Sequence, residues 1–437
     1  MNDLAQNVSD AREPRGLRLL RKIVDVRPAE IAALGWSWIY IFSVLFSYYI
    51  LRPIRDEMGV AGGVENLPWL FTGTLIGMLI VNPPFAALVA KLPRVRFISI
   101  AYRFFIANLL IFAAMLAWTS GTQHIWVGRI FFIWTSVFNL FVVSIFWALM
   151  VDVFDSEQSK RLFGFIAPGA TLGGILGSSL TASLAKSVPS SYLLLGSALL
   201  LEVAVFTVRR LARLSDALHR RGSGAGDEVI GGGVFSGLTH AFKSPYLINV
   251  SLYILLYSIT STFLYFQQAE IAKQAFADRG ARTAFFAQID LWVNILTLGA
   301  QLFLTARVIR MLGVSFTLAT LPALSILGFG ALAALPTLMV LVVYQVLRRA
   351  GNFAFARPSR EVLFTVVPRD EKYKAKSFID TVVYRTGDQA GAWTYGGLSF
   401  IGMSMTAISI FAVPLSILWL INGWWLGRKQ EKLSKIT

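Results

Sequence analysis

The chain has 437 residues, 56% of them hydrophobic and only 15% charged, with a mean hydropathy of +0.63; soluble domains carry about a quarter charged residues, so an ordinary soluble globule is excluded and an integral membrane protein is predicted. The formal net charge of +16 is spread in short basic clusters between apolar runs, which reads as membrane-surface charge, and no nucleic-acid partner is expected. The absence of cysteine excludes disulfides, thiolate metal sites and cysteine nucleophiles, and His124, His219 and His240 show no metal-ligand spacing.

Residues 1–29 form a basic tail with Arg12, Arg15, Arg18, Arg21, Lys22 and Arg27, and no signal peptide is expected there. Its segment RGLRLLRKIVDV reads equally as a basic amphipathic helix on the inner membrane surface and as a frayed tail. A spanning helix needs about 20 mostly apolar residues. That ruler finds runs beginning near Glu30, Trp69, Phe97, Ile125, Leu162 and Tyr192, then near Leu247, Ala284, Ser315, Leu338, Ser377 and Ser404. The expected fold is an all-α polytopic membrane protein with 12 transmembrane helices in two six-helix halves, 30–208 and 246–427. Between them 209–245, basic and then glycine-rich, reads as a flexible cytosolic linker, and 428–437 as a cytoplasmic tail.

Basic residues gather in alternate loops. One side holds the tail, Lys91, Arg94, Arg96, Lys160, Arg161, the linker, Arg307, Arg310, the 357–376 loop, Arg428 and Lys429; the other has chiefly Lys186, Lys273, Arg279 and Arg282. The bias puts both termini in the cytoplasm and Trp424 and Trp425 in an interfacial belt, as expected in a bacterial inner membrane. This layout resembles the major facilitator superfamily, in which related halves rock about a central site.

Polar residues within the runs carry the functional reading. In SYYILRPIRDEMGV, Arg52, Arg55 and Asp56 close the first run. A guanidinium at bilayer depth costs roughly 2.5–3.5 kcal/mol on insertion scales unless it meets water or a partner. Arg52 and Asp56, at i and i+4, can pair on one helix face and leave Arg55 for an anion; the competing reading is a snorkelling cluster at the membrane boundary. Asn82, Pro83 and Pro84 predict a bend in the second run. Arg103 reads as reaching back to headgroups, and Asn139 as a packing amide. Glycines 164, 169, 173, 174 and 177 read as a close-packing face. Glu202, a lone carboxylate in the sixth run, reads as a proton carrier or a buried protonated acid.

In the second half, Gln267, Gln268 and Glu270 fall near the outer mouth. Asp290 and Asn294, at i and i+4, with Gln301 beyond, read as cavity lining, against a structural hydrogen bond to the seventh run. Charged residues then crowd Gln345–Trp393. Arg348 and Arg349, with Asn352, end one apolar segment; Asp380, Tyr384 and Asp388 make an i, i+4, i+8 stripe on the next, with Arg385 one step round. These aspartates are expected to neutralise Arg348 or Arg349 when no solute is present, because a solute anion and a carboxylate compete for one guanidinium.

The stretch ILRPIRD (50–56) resembles the end of helix one in the ATP/ADP translocases of plastids and intracellular bacteria, where a leucine-arginine pair precedes lysine-aspartate. SEQSKRLFGFIAPGATLGGILGS is similar to their helix four to five segment. RPSREVLFTVVPRDEKYKAKSFIDTVVYRTGDQAG is similar to their aspartate-proline-threonine-lysine-glutamate region, lysine-rich turn and glycine-lysine-serine-glycine helix. The resemblance implies that Arg55 stands for the family's phosphate-binding lysine, and Arg360 and Glu361 for its lysine and glutamate. Asp388 stands where the family has a lysine, and the family's acidic residue early in helix four has no counterpart between Thr135 and Asn139. One cation fewer and one anion more weakens a site for a tri- or tetra-anionic phosphate chain, with Arg348, Arg349 and Arg385 available to compensate.

The expected function is secondary-active transport of a small anionic solute by alternating access, a nucleotide being one such solute and exchange without ion coupling being the mode the resemblance implies. Arg52, Arg55, Arg348, Arg349, Arg385, Asn352 and Tyr384 would bind it, guanidinium geometry suiting phosphate or carboxylate. Asp56, Asp290, Asp380, Asp388 and Glu202 would balance charge or carry protons. Without a nucleophile and base pair, metal cluster or phosphate-binding glycine loop, no enzyme activity and no cofactor are expected; the partners are the solute and membrane lipids, and the chain is expected to be a monomer. The alternative is a non-transporting membrane scaffold that grips anionic lipid through its basic tail and linker.

Overall fold

The computed structural model describes residues 26–219, 244–367, 375–376 and 378–435. Most of the amphipathic tail segment, the glycine-rich part of the linker and the lysine-rich turn lie outside the described residues. Within them every regular element is helical. In chain order these are α1 (Ile31–Ala61), α2 (Leu67–Lys91), α3 (Arg94–Trp118), α4 (Gly121–Val153), α5 (Ser156–Leu184), α6 (Ser190–His219), α7 (Pro245–Ala275), α8 (Arg279–Phe303), α9 (Thr305–Ala334), α10 (Leu338–Gly351), α11 (Tyr384–Phe400) and α12 (Met405–Leu433). Helix α10 runs on through a π-helical turn, Asn352–Ala356, into Arg357–Leu363, and another π-helical turn, Ile379–Val383, precedes α11.

Local chemistry sets the ends. Helix α5 starts six residues before the apolar run near Leu162 because Asp155 caps it: its carboxylate accepts from the Gln158 amide at 2.8 Å, and the Gln158 side chain accepts from the Asp155 amide at 3.0 Å. Asp278 caps α8 in the same way, accepting from the Ala281 amide at 2.7 Å, which moves its start ahead of Ala284. Gly313, at φ 78°, breaks α9 just before Ser315, where the apolar run begins. Helix α6 continues to His219 and α12 to Leu433, so residues assigned to the linker and the C-terminal tail are partly helical. Leu, Ala and Arg after Val208 are good helix formers that carry α6 past its apolar stretch.

Among the described residues eleven helices are long and apolar enough to cross a membrane, and many large apolar side chains point outward, Trp118, Met311 and Phe400 among them. This is a multi-pass membrane protein. The expected run near Ser377 is the one below that standard: α11 has only 17 helical residues, with Arg385, Asp388 and four glycines among them. It is nonetheless seated in the molecule, packed on α7 and α2.

Helix α1 packs on α4, α5 and α6, and α3 on α6; α7 packs on α10, α11 and α12, and α9 on α12. Across these groups α8 meets α5 and α1, and α11 meets α2. The α5 glycines make the close approach possible: a Cβ on Gly173 would lie 2.5 Å from the Phe42 carbonyl oxygen of α1, and one on Gly177 2.7 Å from that of Phe46. Pro83 and Pro84 lie on the exposed side of a continuous α2.

Candidate functional site: an arginine-lined cavity

A cavity of about 280 Å³ opens where α1, α2, α4, α7, α10 and α11 meet. Its wall includes Arg52 and Arg55 from α1, Arg348, Arg349 and Asn352 from the α10 segment, and Tyr384, Arg385 and Asp388 from α11. The substrate-binding residues expected from sequence are thus brought together. The charge-balancing residues are not all there. Asp56 and Asp290 stand directly behind the arginines; Asp380 is exposed and does not line the cavity; Glu202 lies on the outer side of α6, half exposed and 3.1 Å from Arg103. Glu202 is therefore remote from the cavity.

The arginines find different partners from those their spacing suggests. Arg52 turns to Asp290 on α8, 3.5 Å away, because α1 and α8 are packed together. Asp56 instead meets its neighbour Arg55 at 3.3 Å and accepts from the Tyr265 hydroxyl at 2.9 Å. Arg55 lies over the Phe132 ring, its carbon 4.4 Å from the centroid, a favourable seat for a cation. Asp290 is 1% exposed, and the oxygen that faces Arg52 also holds Arg349 at 2.6 Å. It is the buried counter-ion of both, not a lining residue. Asn294 donates to the Asp290 backbone carbonyl at 2.8 Å, within α8, and Gln301 is exposed at the far end of that helix.

Arg348 has no carboxylate partner among the described residues. Its guanidinium donates to Ser325 on α9 at 3.2 Å and, on α7, to Ser261 at 2.6 Å, Thr260 at 2.8 Å and the Tyr257 carbonyl at 3.2 Å. Asp388 does not reach it: that carboxylate takes Arg385 at 3.2 Å and the Ser258 hydroxyl at 2.6 Å. The expected neutralisation of Arg348 or Arg349 by α11 is replaced by Asp290 acting on Arg349 alone, since α8 and not α11 flanks that side of α10. Five guanidiniums in the wall thus face three carboxylates, leaving a surplus of two positive charges.

The rest of the wall is neutral and aromatic: Tyr257, Ser261, Thr262 and Tyr265 on α7, Phe71 and Thr74 on α2, Ser136 and Asn139 on α4, and Gln345, Phe353 and Gln389. Asn139 is therefore cavity lining and not a packing amide. The α7 group was visible as a polar stripe at helical spacing, but hydroxyls are ordinary in membrane helices and carry little signal by themselves. The glutamines near the α7 end are structural: Gln267 donates to Ser409, Gln268 accepts from Gln345, and Glu270 accepts from Tyr395.

Hydrogen bonds and ion pairs between the two groups of helices cluster at the cavity and at one end of the molecule, where α1 turns into α2. There Glu57, 3% exposed, accepts from Arg279 of α8 through both oxygens at 2.9 Å and from Arg282 at 3.0 Å. Trp393 of α11 donates to Thr72 and packs edge-on against Trp69 of α2. At the opposite end the described pairs stay within a group, as in Arg161 with Glu30 and Lys376 with Glu361.

The fold is that of several solved transporters. A POT family peptide transporter, PepTSo, aligns with TM-score 0.62 at 14% identity over 92% of this chain and 98% of its own. The xylose transporter XylE from E. coli, in a partially occluded inward open conformation, aligns with TM-score 0.60 at 11% identity over 90% and 98%. No family model matches the chain. Among curated proteins, ADP,ATP carrier protein 1 of Chlamydia trachomatis is 22% identical over 471 residues, 91% of this chain and 87% of the carrier. ADP,ATP carrier protein 2 of Chlamydia pneumoniae is 18% identical over 94% and 91%. The chain is a distant relative of the ADP,ATP carriers and has the major facilitator fold.

Proposed function

We propose that this protein is a secondary transporter of an anionic solute, with nucleotides as the solute class, working by alternating access around the arginine-lined cavity. The observation that carries the reading is the cavity's surplus of two positive charges, drawn from helices on both sides of it. Guanidiniums in a low-dielectric wall are costly unless an anion meets them, and planar forks suit phosphate oxygens. The names of the chlamydial relatives point to adenine nucleotides, and the aromatic faces of Tyr257, Tyr265 and Phe353 suit a base.

In this reading the empty cavity is held by an internal anion. Asp290 ties Arg52 to Arg349, and an entering phosphate displaces it by offering more oxygens to the same guanidiniums. Asp56 and Asp388 orient Arg55 and Arg385, and Arg348 supplies a fixed charge. The repeat of helix pairings on adding six to each number (α1–α5 with α7–α11, α3–α6 with α9–α12) supports two six-helix halves in which α11 completes the set of twelve. The halves then rock about the cavity, and the Glu57 cluster closes the outer end in the state described. Arg27, Arg94, Arg96, Arg161, Arg209, Arg307 and Arg428 all lie toward the opposite end, which supports a cytoplasmic location for that end in an inner membrane. The working unit in this reading is a monomer.

The test is counterflow by purified protein in liposomes, with labelled ATP, ADP and simple phosphorylated compounds. Accumulation in wild type and none in Arg55→Ala is the expected result. No movement of any anion across the panel would favour the scaffold alternative.

A further inference from the structure

On the outer surface of the first helix group, at the basic end, a groove of about 480 Å³ runs between the start of α3 and the end of α6, lined by Pro93, Val95, Arg96, Ser99, Ile100, Arg103 and Arg209. Its guanidiniums stand on two levels. Arg103 and Glu202 form the deeper level as a 3.1 Å ion pair, with side chains 51% and 49% exposed. Arg96 precedes Arg103 by seven residues and Arg209 follows Glu202 by seven. The two helices pack together and run in opposite directions, so at about 1.5 Å per residue both arginines stand roughly 10 Å nearer the membrane surface, level with each other.

At that shallower level the charges are not balanced. Arg94, the next cation along α3, is taken by Asp152, and Arg210 lies over Phe206, its carbon 5.1 Å from the ring centroid. Arg96 and Arg209 have no carboxylate partner among the described residues, and the Ser99 hydroxyl stands one turn below Arg96. Deeper along the two helices, Ile100 of the groove and, beyond its lining, Phe104, Val203 and Phe206 are all exposed to the bilayer side. Two guanidiniums and a hydroxyl at headgroup depth above an apolar wall match one chemistry: a phosphodiester with hydrocarbon chains attached.

We infer that this groove is a binding site for an anionic phospholipid of the basic-side leaflet, whose phosphate sits between Arg96 and Arg209 and whose chains lie along α3 and α6. Glu202 takes part indirectly: by neutralising Arg103 it leaves the shallower pair as the seat of the phosphate and keeps the headgroup from sinking further. A zwitterionic lipid carries a cation that these arginines repel, so the site selects for net negative charge. The cavity of the proposed transport path is not involved.

The experiment is native mass spectrometry of delipidated, detergent-purified protein titrated with phosphatidylglycerol, with phosphatidylcholine, and with phosphatidylglycerol plus excess glycerol 3-phosphate. The expected result is a retained phosphatidylglycerol adduct, at least several-fold preferred over phosphatidylcholine. In the Arg96→Gln/Arg209→Gln double variant its affinity drops roughly tenfold or more, each arginine near a membrane surface contributing about 1 kcal/mol. Arg210→Gln, which changes a neighbouring cation outside the groove, keeps wild-type binding and shows that a general loss of charge is not the cause. Equal binding by the double variant, or no preference between the two lipids, would overturn the proposal. Displacement of the lipid by glycerol 3-phosphate would overturn it too, by making the site one for a free phosphate.

Discussion

Arg55 and Arg348 both line the cavity, yet their surroundings give opposite expectations for a change to lysine. Arg55 meets one carboxylate and one tyrosine hydroxyl and otherwise faces aromatic rings, so a point charge serves nearly as well. Arg55→Lys is expected to keep counterflow within roughly threefold of wild type, an ammonium being an adequate phosphate ligand. Arg348 spans four oxygens on two helices. Lysine leaves acceptors stranded, costing about 2–4 kcal/mol, and Arg348→Lys should lower the melting temperature and abolish transport; parallel assays that rank the two variants the other way would refute both assignments. Asp290 offers a sharper check. Removing its charge leaves Arg52 and Arg349 unpaired, so Asp290→Asn should melt earlier than wild type without ligand and gain more from added ATP, by several degrees in a thermal-shift assay. An equal ATP response in both proteins would mean that Asp290 does not stand in for the solute. Residue identity was legible here and pairing was not. The i, i+4 rule joined Arg52 to Asp56, but buried charges choose across helices, and which helices touch is not written in local spacing. Asn139 and the α7 hydroxyls were passed over for a related reason: neutral polar groups serve packing and cavities alike.

At the scale of elements, the alternating-access proposal makes the joint between α1 and α8 the gate at one end. Glu57 is buried and accepts three hydrogen bonds from two arginines, and breaking such a cluster costs roughly 2–5 kcal/mol. The chain's lack of cysteine makes the test direct. With one spin label in the α1–α2 turn and one in the α7–α8 turn, Glu57→Gln should populate longer distances by electron-electron resonance; an unchanged distribution would show that the cluster is no gate. The span starts near Leu338 and Ser404 coincide with helix starts, because apolar length and a capping Thr337 or Ser404 agree. The π-helical turns at Asn352–Ala356 and Ile379–Val383 were not legible. They fall beside the arginines of α10 and α11, and π-helical turns are local insertions that the periodicity of a helix does not announce.

For the whole molecule, composition and run length carried most of the fold, since a bilayer admits few ways of satisfying the backbone. The layout of the cavity needed coordinates, because it depends on six helices drawn from both halves of the sequence. Sidedness can be checked in intact cells: a cysteine at Ser434 should resist an impermeant maleimide until the cells are opened, and one at Glu65 should react at once, whereas the reverse pattern would invert the topology. The uncompensated charge in the cavity wall has an electrical consequence. In the proposed mechanism a dianion makes the loaded cavity neutral, and its crossing should ignore the transmembrane voltage. A solute with three or four negative charges leaves a net charge that moves through the field, at about 2.3 kcal/mol per elementary charge for each 100 mV. The number of phosphates on the cargo would then decide whether an energised membrane drives its traffic or merely permits it.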